Sequence, residues 1–262
     1  MDNIRLGTSS PAGKFMELGG HIFRYCKKEG ISSCGLSKGI DVSQPTAWLF
    51  HCKLQQAMQS RGKFPLTGEG HIDEYVTGGT EPGKVGSSDS KKKKTLIMVE
   101  VRDNNRTGRV YFQQIDNYKK ETFYPIIEAK VISDAEVVTD KYPRYDKLKG
   151  KFPKAKQRKS SKGKTFPVVN QQIMNLKGWS RGIHHQCSEK HYQKYLDKYC
   201  FRTNRRNTEQ GIFRAIMLRV VESKTKKFKQ LIACTTYINL FHLNKIKLDS
   251  PVAGYVYFFK KK

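Results

Sequence analysis

The sequence predicts an α/β protein: a mixed sheet with flanking helices, preceded by a small helix-turn-helix head. Three observations predict it. Three β-patterned runs follow one another between His71 and Ile115, and helical and extended patterns then alternate. Ahead of them, two helical patterns are joined by a short turn. Finally, 262 residues at 37% hydrophobic and 11% aromatic can bury a sizeable core in one or two domains, which excludes a mainly disordered chain.

The stretch up to residue 14 lacks periodic apolar positions and is expected to be loose. Phe15, Met16, Leu18, Ile22, Phe23 and Cys26 then recur at helical spacing, and Lys27-Lys28-Glu29-Gly30 stops the run. Residues 32–39 form a short helix, and Ile40-Asp41-Val42 a tight turn. Ser43 stands where an N-cap belongs, with Pro45 in the first turn of a helix reaching Met58. As a helix-turn-helix, the second helix would present Gln44, Thr46 and His51 to a DNA groove. The same spacing also suits an ordinary helical hairpin in which Trp48, Leu49 and Cys52 pack.

A linker with Gly62, Pro65 and Gly68 leads to the first strand, residues 71–77. The apolar, β-branched TLIMVEV (95–101) is the second strand. The turn residues Asp103, Asn104, Asn105 and Gly108 introduce the third, 109–115. Residues 118–130 read as a helix in which Pro125 marks a kink or a later start. Residues 135–139 read as a short buried strand, 143–149 as a short helix and 152–158 as a strand. Three helices follow, at 168–181, 188–206 and 212–221. In the second, Tyr192, Tyr195, Leu196, Tyr199 and Cys200 make one stripe behind a Ser188 cap. Three strands, helix, strand, helix, strand and helices is the order of a ribonuclease-H-like fold. The expected division is a helical head at 14–60, an α/β body at 68–222 and a basic extension at 223–262.

Charge restricts the function. Fifty Lys and Arg against 23 Asp and Glu leave a net charge of +27, which points to a polyanionic partner, nucleic acid first. Residues 147–164 hold nine basic side chains and no acidic one, and Lys154, Lys156 and Arg158 are candidate phosphate contacts. Residues 84–94 form a polar insert. No apolar run approaches the ~18 residues of a membrane span, and MDNIRLGTSSPAG has no signal-peptide core. The six cysteines are scattered with no CxxC pair, so neither a disulfide scaffold nor a zinc ribbon is expected, and a cytoplasmic location fits. His184, His185, Cys187 and His191 are poorly spaced for tetrahedral zinc, so no structural zinc is expected.

Two aspartates are placed for chemistry. Asp73 lies mid-strand in HIDEYVTGG, and Asp140 ends VVTD, at the carboxyl end of a strand where α/β sheets bind ligands. A surface position for Asp73 and a helix cap for Asp140 are the plainer alternatives. Phosphodiester cleavage by two Mg²⁺ ions needs hard oxygen ligands from separate elements, one of them able to bridge both ions.

Four stretches resemble the insertion-sequence 1595 family of DDE-superfamily bacterial transposases. They are GHIDEYVTGG, VVTDKYPRYDKL, the helix-turn-helix GISSCGLSKGIDVSQPTAW and, most specifically, NQQIMNLKGWSRGIHHQCSEKHYQKYLDKYCFRTNRR. The likeness runs from about residue 15 to 230. It implies a ribonuclease-H-like catalytic domain binding Mg²⁺ or Mn²⁺, two ions, through Asp73, Asp140 and, at the third position, Asn175. It implies cleavage of double-stranded DNA at element ends, strand transfer to target DNA and a homo-oligomer at the bacterial nucleoid. Lys177 and Arg181 would contact an end phosphate, and Arg205 and Arg206 would meet DNA. Asn170 stands where the family often has His, and Asp41 where it has a turn Gly. Family members usually begin with a zinc ribbon, and none precedes this head. The alternative reading is therefore a truncated, inactive remnant that only binds DNA.

Overall fold

The computed structural model describes residues 20, 31–60, 64–78, 92–159, 165–183 and 187–222. The helix expected over 15–26, most of the polar insert and the extension 223–262 lie outside these residues.

The head comprises α1 (Ser33–Gly39) and α2 (Gln44–Ala57). Ser32 caps α1, its Oγ accepting the Gly35 N–H at 3.1 Å. The turn closes through Asp41 at φ 49°, a left-handed conformation that a short polar side chain tolerates better than most. The Ser37 hydroxyl donates to the Val42 carbonyl at 2.6 Å, tying α1 to the turn. Pro45, in the first turn of α2, lacks an N–H that would have no helical partner there anyway.

Five strands form one sheet: β1 (Glu69–Thr77), β2 (Lys93–Arg102), β3 (Arg106–Ile115), β4 (Glu136–Asp140) and β5 (Lys156–Arg158). Their order is β3-β2-β1-β4-β5. β2 runs antiparallel to both β1 and β3, while β4 is parallel to β1 and β5 to β4. One strand therefore opposes the other four, the ribonuclease-H-like arrangement. The β2–β3 reversal is a single 3-10 turn, with Asn104 at φ 60° and Asn105 at φ 55°. Next to it, a Cβ on Gly108 would collide with the Glu100 carboxylate, which accepts the Arg109 N–H at 3.0 Å. Glycine there makes room for a buried acid.

Side chains alternate across the sheet and divide the core in two. Ile72, Met98 and Val137 face α3 (Lys120–Lys130) and the 3-10 segment Pro143–Gly150, where Phe123 stacks on Tyr145 at 5.9 Å. Tyr75, Val99, Phe112 and Val138 face α4 (Pro167–Ile183) and α5 (Glu189–Thr203). A third cluster joins Leu54 and Met58 of α2 to Phe201 of α5 and to Ile212 and Ile216 of α6 (Glu209–Glu222). The head is thus packed on the body.

Three elements differ from the sequence expectation. Pro125 lies inside α3, which starts at Lys120. β5 is only Lys156–Arg158, because Phe152 turns into the core at 2% exposure and leaves extended pairing to later residues. α5 stops at Thr203 instead of 206. There Asn204 turns to β3, its Oδ1 accepting the Val110 N–H at 2.7 Å and its Nδ2 donating to the Val110 carbonyl at 2.9 Å. That side chain supplies the edge strand with the pairing a sixth strand would give.

Candidate catalytic site

Strand alternation puts His71, Asp73 and Tyr75 on the α4 side of β1. The parallel β1–β4 ladder pairs His71 with Val138 and Ile72 with Thr139. The next residue on each strand is an aspartate, so Asp73 and Asp140 stand side by side on adjacent strands, on one face. Burial raises the Asp73 carboxyl above the ordinary carboxylate range, the Glu74 N–H donated to it at 2.8 Å opposes this, and the charge of Asp140 raises it further. Two carboxylates held this close favour a cation between them. Glu74, on the opposite face, is engaged elsewhere, accepting the Tyr145 hydroxyl at 2.5 Å.

α4 crosses the same face alongside β1. Phe166, one residue before the helix, meets the His71 ring edge-on at 5.4 Å. Eleven residues later, the Lys177 amine lies 6.0 Å above the Tyr75 ring. Asp73 falls between these two anchor points. The other flank of α4 faces β3 and α5: Gln172 donates to Thr107 at 3.1 Å and accepts from the Tyr199 hydroxyl at 3.2 Å, and Trp179 packs on Tyr199 at 5.6 Å.

These contacts fix the rotation of the helix. At about 100° per residue, Asn170 stands about 20° round the axis from Lys177, whereas Asn175 stands about 160° from it. Asn170 is half-buried on the flank nearer the aspartates, and Asn175 is exposed on the flank nearer α5. Asn175, the residue expected from the sequence, is thus on the exposed flank, and Asn170 is the amide that shares the Lys177 flank. Its spacing of seven residues from Lys177, two helical turns, was the signal that could have found it. Arg181 is exposed and shares the Lys177 flank, about 40° away.

The expected DNA contacts divide in the same way. Gln44 and Thr46 are exposed at the start of α2. The Gln44 amide donates to the Ser33 hydroxyl at 3.0 Å, and the Thr46 and Ser43 hydroxyls are 2.9 Å apart. His51 is 6% exposed and so does not face a groove, because that part of α2 packs against the body. On the far edge of the sheet, Lys154 pairs with Asp134 at 2.6 Å, Lys156 with Glu136 at 2.7 Å and Arg158 with Glu69 at 3.7 Å. A run without acids in sequence finds them in space, though in water-exposed pairs of low strength. Arg205 is half-buried over the Phe201 ring at 4.1 Å. Arg206 is exposed and donates to the Thr203 carbonyl at 2.9 Å and to the Thr107 carbonyl.

His184 and His185 lie outside the described residues. Among the described residues, no group of three or more His, Cys, Asp and Glu could hold a metal ion. A metal at the aspartates would therefore need an uncharged oxygen as its third protein donor. No described helix is long and apolar enough to cross a membrane.

No curated protein matches the chain in sequence. The solved structures similar to it include the crystal structure of a pre-cleavage Mos1 transpososome, at 10% identity over 86% of this chain and 83% of that one, with a TM-score of 0.21, too remote to carry weight. The model of the ISXO2-like transposase domain matches residues 65–204, more than half the sequence and the whole span from the sheet to the end of α5, and the chain belongs to that insertion-sequence 1595 family of DDE transposases.

Proposed function

We propose that this transposase acts by metal-dependent phosphoryl transfer, cleaving double-stranded DNA at insertion-sequence ends and joining the freed 3′-hydroxyl to target DNA. The observation that supports it best is the pairing of Asp73 and Asp140 on one sheet face, with burial and mutual repulsion raising the Asp73 carboxyl. Two hard carboxylates suit Mg²⁺ or Mn²⁺, and Asn170 would add an uncharged amide oxygen. Divalent ions bound there would activate the attacking oxygen and stabilise charge on the leaving one. Lys177 and Arg181, on the same flank of α4, would hold the phosphate of the DNA end beside the aspartates. Gln44 and Thr46 would read the end sequence, and Arg206, with Lys154, Lys156 and Arg158, would grip backbone. Residues 68–222 form the catalytic unit, 14–60 the DNA-reading head and 223–262 a basic extension. Acting on two ends calls for a homo-oligomer.

A second reading, a remnant that binds ends without cutting them, is favoured by the absence of a third acidic residue among the described residues at the site. Nicking of DNA carrying the element's flanks, with Mg²⁺ or Mn²⁺, separates the two. Cleavage by the wild type and its loss in Asp140→Ala supports the enzyme. Equal cleavage by both proteins would place the site elsewhere, and tight binding with no cleavage by either would favour the remnant.

A further inference from the structure

At the β3 edge of the sheet, opposite the edge beside the aspartates, a cavity of about 220 Å³ opens where α2, β3, α5 and α6 meet. Arg109, Lys130, Arg205 and Arg219 line it, and Asp197 is the only acid among the described residues that do so. The cations are held by aromatic rings and carbonyls. Arg109 donates to the Pro65 carbonyl at 3.3 Å and lies 5.3 Å over the Phe64 ring. The Lys130 amine is 5.0 Å over Tyr111. Arg205 and Arg219 share the Phe201 ring, at 4.1 and 5.0 Å. Arg219 also donates to the carbonyls of Ala57 at 3.3 Å, Met58 at 3.4 Å and Gln59 at 3.2 Å, closing the C-terminus of α2.

Helix capping explains Arg219, and the Pro65 carbonyl explains part of Arg109. Arg205 donates to the Phe201 carbonyl at 3.3 Å and Lys130 has the charge of Asp197 near it, but one acid leaves the four cations of this half-buried space in excess. Burial, then the neighbouring Arg219, hold the Arg205 guanidinium down to about 10, and burial lowers the Lys130 amine too. Crowded like charges in a partly desolvated space are costly unless an anion joins them. Guanidinium forks fixed over a ring are suited to a tetrahedral oxyanion.

We propose that this cavity is a phosphate site, separate from the aspartates, that seats a phosphate group where the head meets the body. The phosphate comes either from the DNA backbone or from free solution, and its chemistry in the cavity is the same. No residue of the site overlaps Asp73, Asp140 or α4, so it stands whether or not the chain cuts DNA.

The test is a calorimetric titration of the full chain with inorganic phosphate at constant ionic strength. Saturable binding is expected, weakened about tenfold or more by Arg205→Gln. It should be tightened severalfold by Asp197→Asn, which removes the opposing charge. Lys149→Gln, an exposed charge elsewhere, should leave it unchanged. Should Arg205→Gln fail to fold, the tightening by Asp197→Asn decides alone. Heats that never saturate, or an affinity indifferent to Asp197→Asn, would overturn the proposal. Duplex DNA then identifies the source. A salt slope about one unit lower in Arg205→Gln assigns the site to backbone phosphate. An unchanged slope with phosphate binding abolished assigns it to free phosphate, and either result supports the site.

Discussion

Asn170 and Asn175 have the same chemistry five residues apart, and only the rotation of α4 separates them. Lys177 over Tyr75 and Gln172 toward Thr107 set that rotation. Replacing Asn170 with Ala should reduce metal-dependent nicking by about a hundredfold or more, as loss of a direct ligand should exceed the effect of a supporting one. Asn175→Ala should cut nearly as well as wild type in the same assay. Asn170→Asp should lower the Mg²⁺ concentration for half-maximal cleavage, because a third carboxylate adds charge to the donor set. Asp197 offers a second test. Burial raises its carboxyl to about 6, against opposing contributions from the Gln193 amide, Lys130 and the Gln59 amide. The folded chain therefore binds this proton more tightly than the unfolded chain does. That contribution is complete below about pH 4, falls as pH rises toward 6 and is absent above. Asp197→Asn should stabilise the protein at pH 7.5 by about 2 kcal/mol in urea unfolding, and by much less at pH 4.

Elements divide by how much of their role is local. β5 is short, and its cations Lys156 and Arg158 are already paired with Glu136 and Glu69, as Lys154 just before it is with Asp134. Replacing Lys154, Lys156 and Arg158 together with Ala should lower the salt slope of DNA binding by about one unit for each phosphate no longer gripped. An unchanged slope would remove β5 from the interface. α3, in contrast, is held by burial. Phe123 is fully buried against Tyr145, so Phe123→Ala should cost about 3–5 kcal/mol in a denaturant titration.

At the scale of the molecule, α6 couples the head to the body. Ile216 is fully buried in the cluster it shares with Leu54, Met58 and Phe201, and Arg219 closes the end of α2. Ile216→Ala should lower stability by about 2–5 kcal/mol as one cooperative transition seen by both far-ultraviolet and tryptophan signals. A separate early melt of α1 and α2 would show that the head is an independent unit. With +27 charges, DNA affinity should fall steeply with salt whatever the end sequence.

The sequence by itself determined the order of strands and helices, the tight turn around Asp41 and the placing of the two aspartates on strands of the sheet. Each rests on local signals: β-branched runs, caps and turn residues, helical stripes and one specific motif. Only the tertiary structure decided on which flank of α4 each asparagine stands, that His51 is buried, that the basic run meets acids from other elements, and that four cations line one cavity with Asp197. These depend on helix rotation and on contacts between residues far apart in the chain. Such contacts are set by the packing of α4, α5 and α6 on the sheet, which local periodicity does not encode.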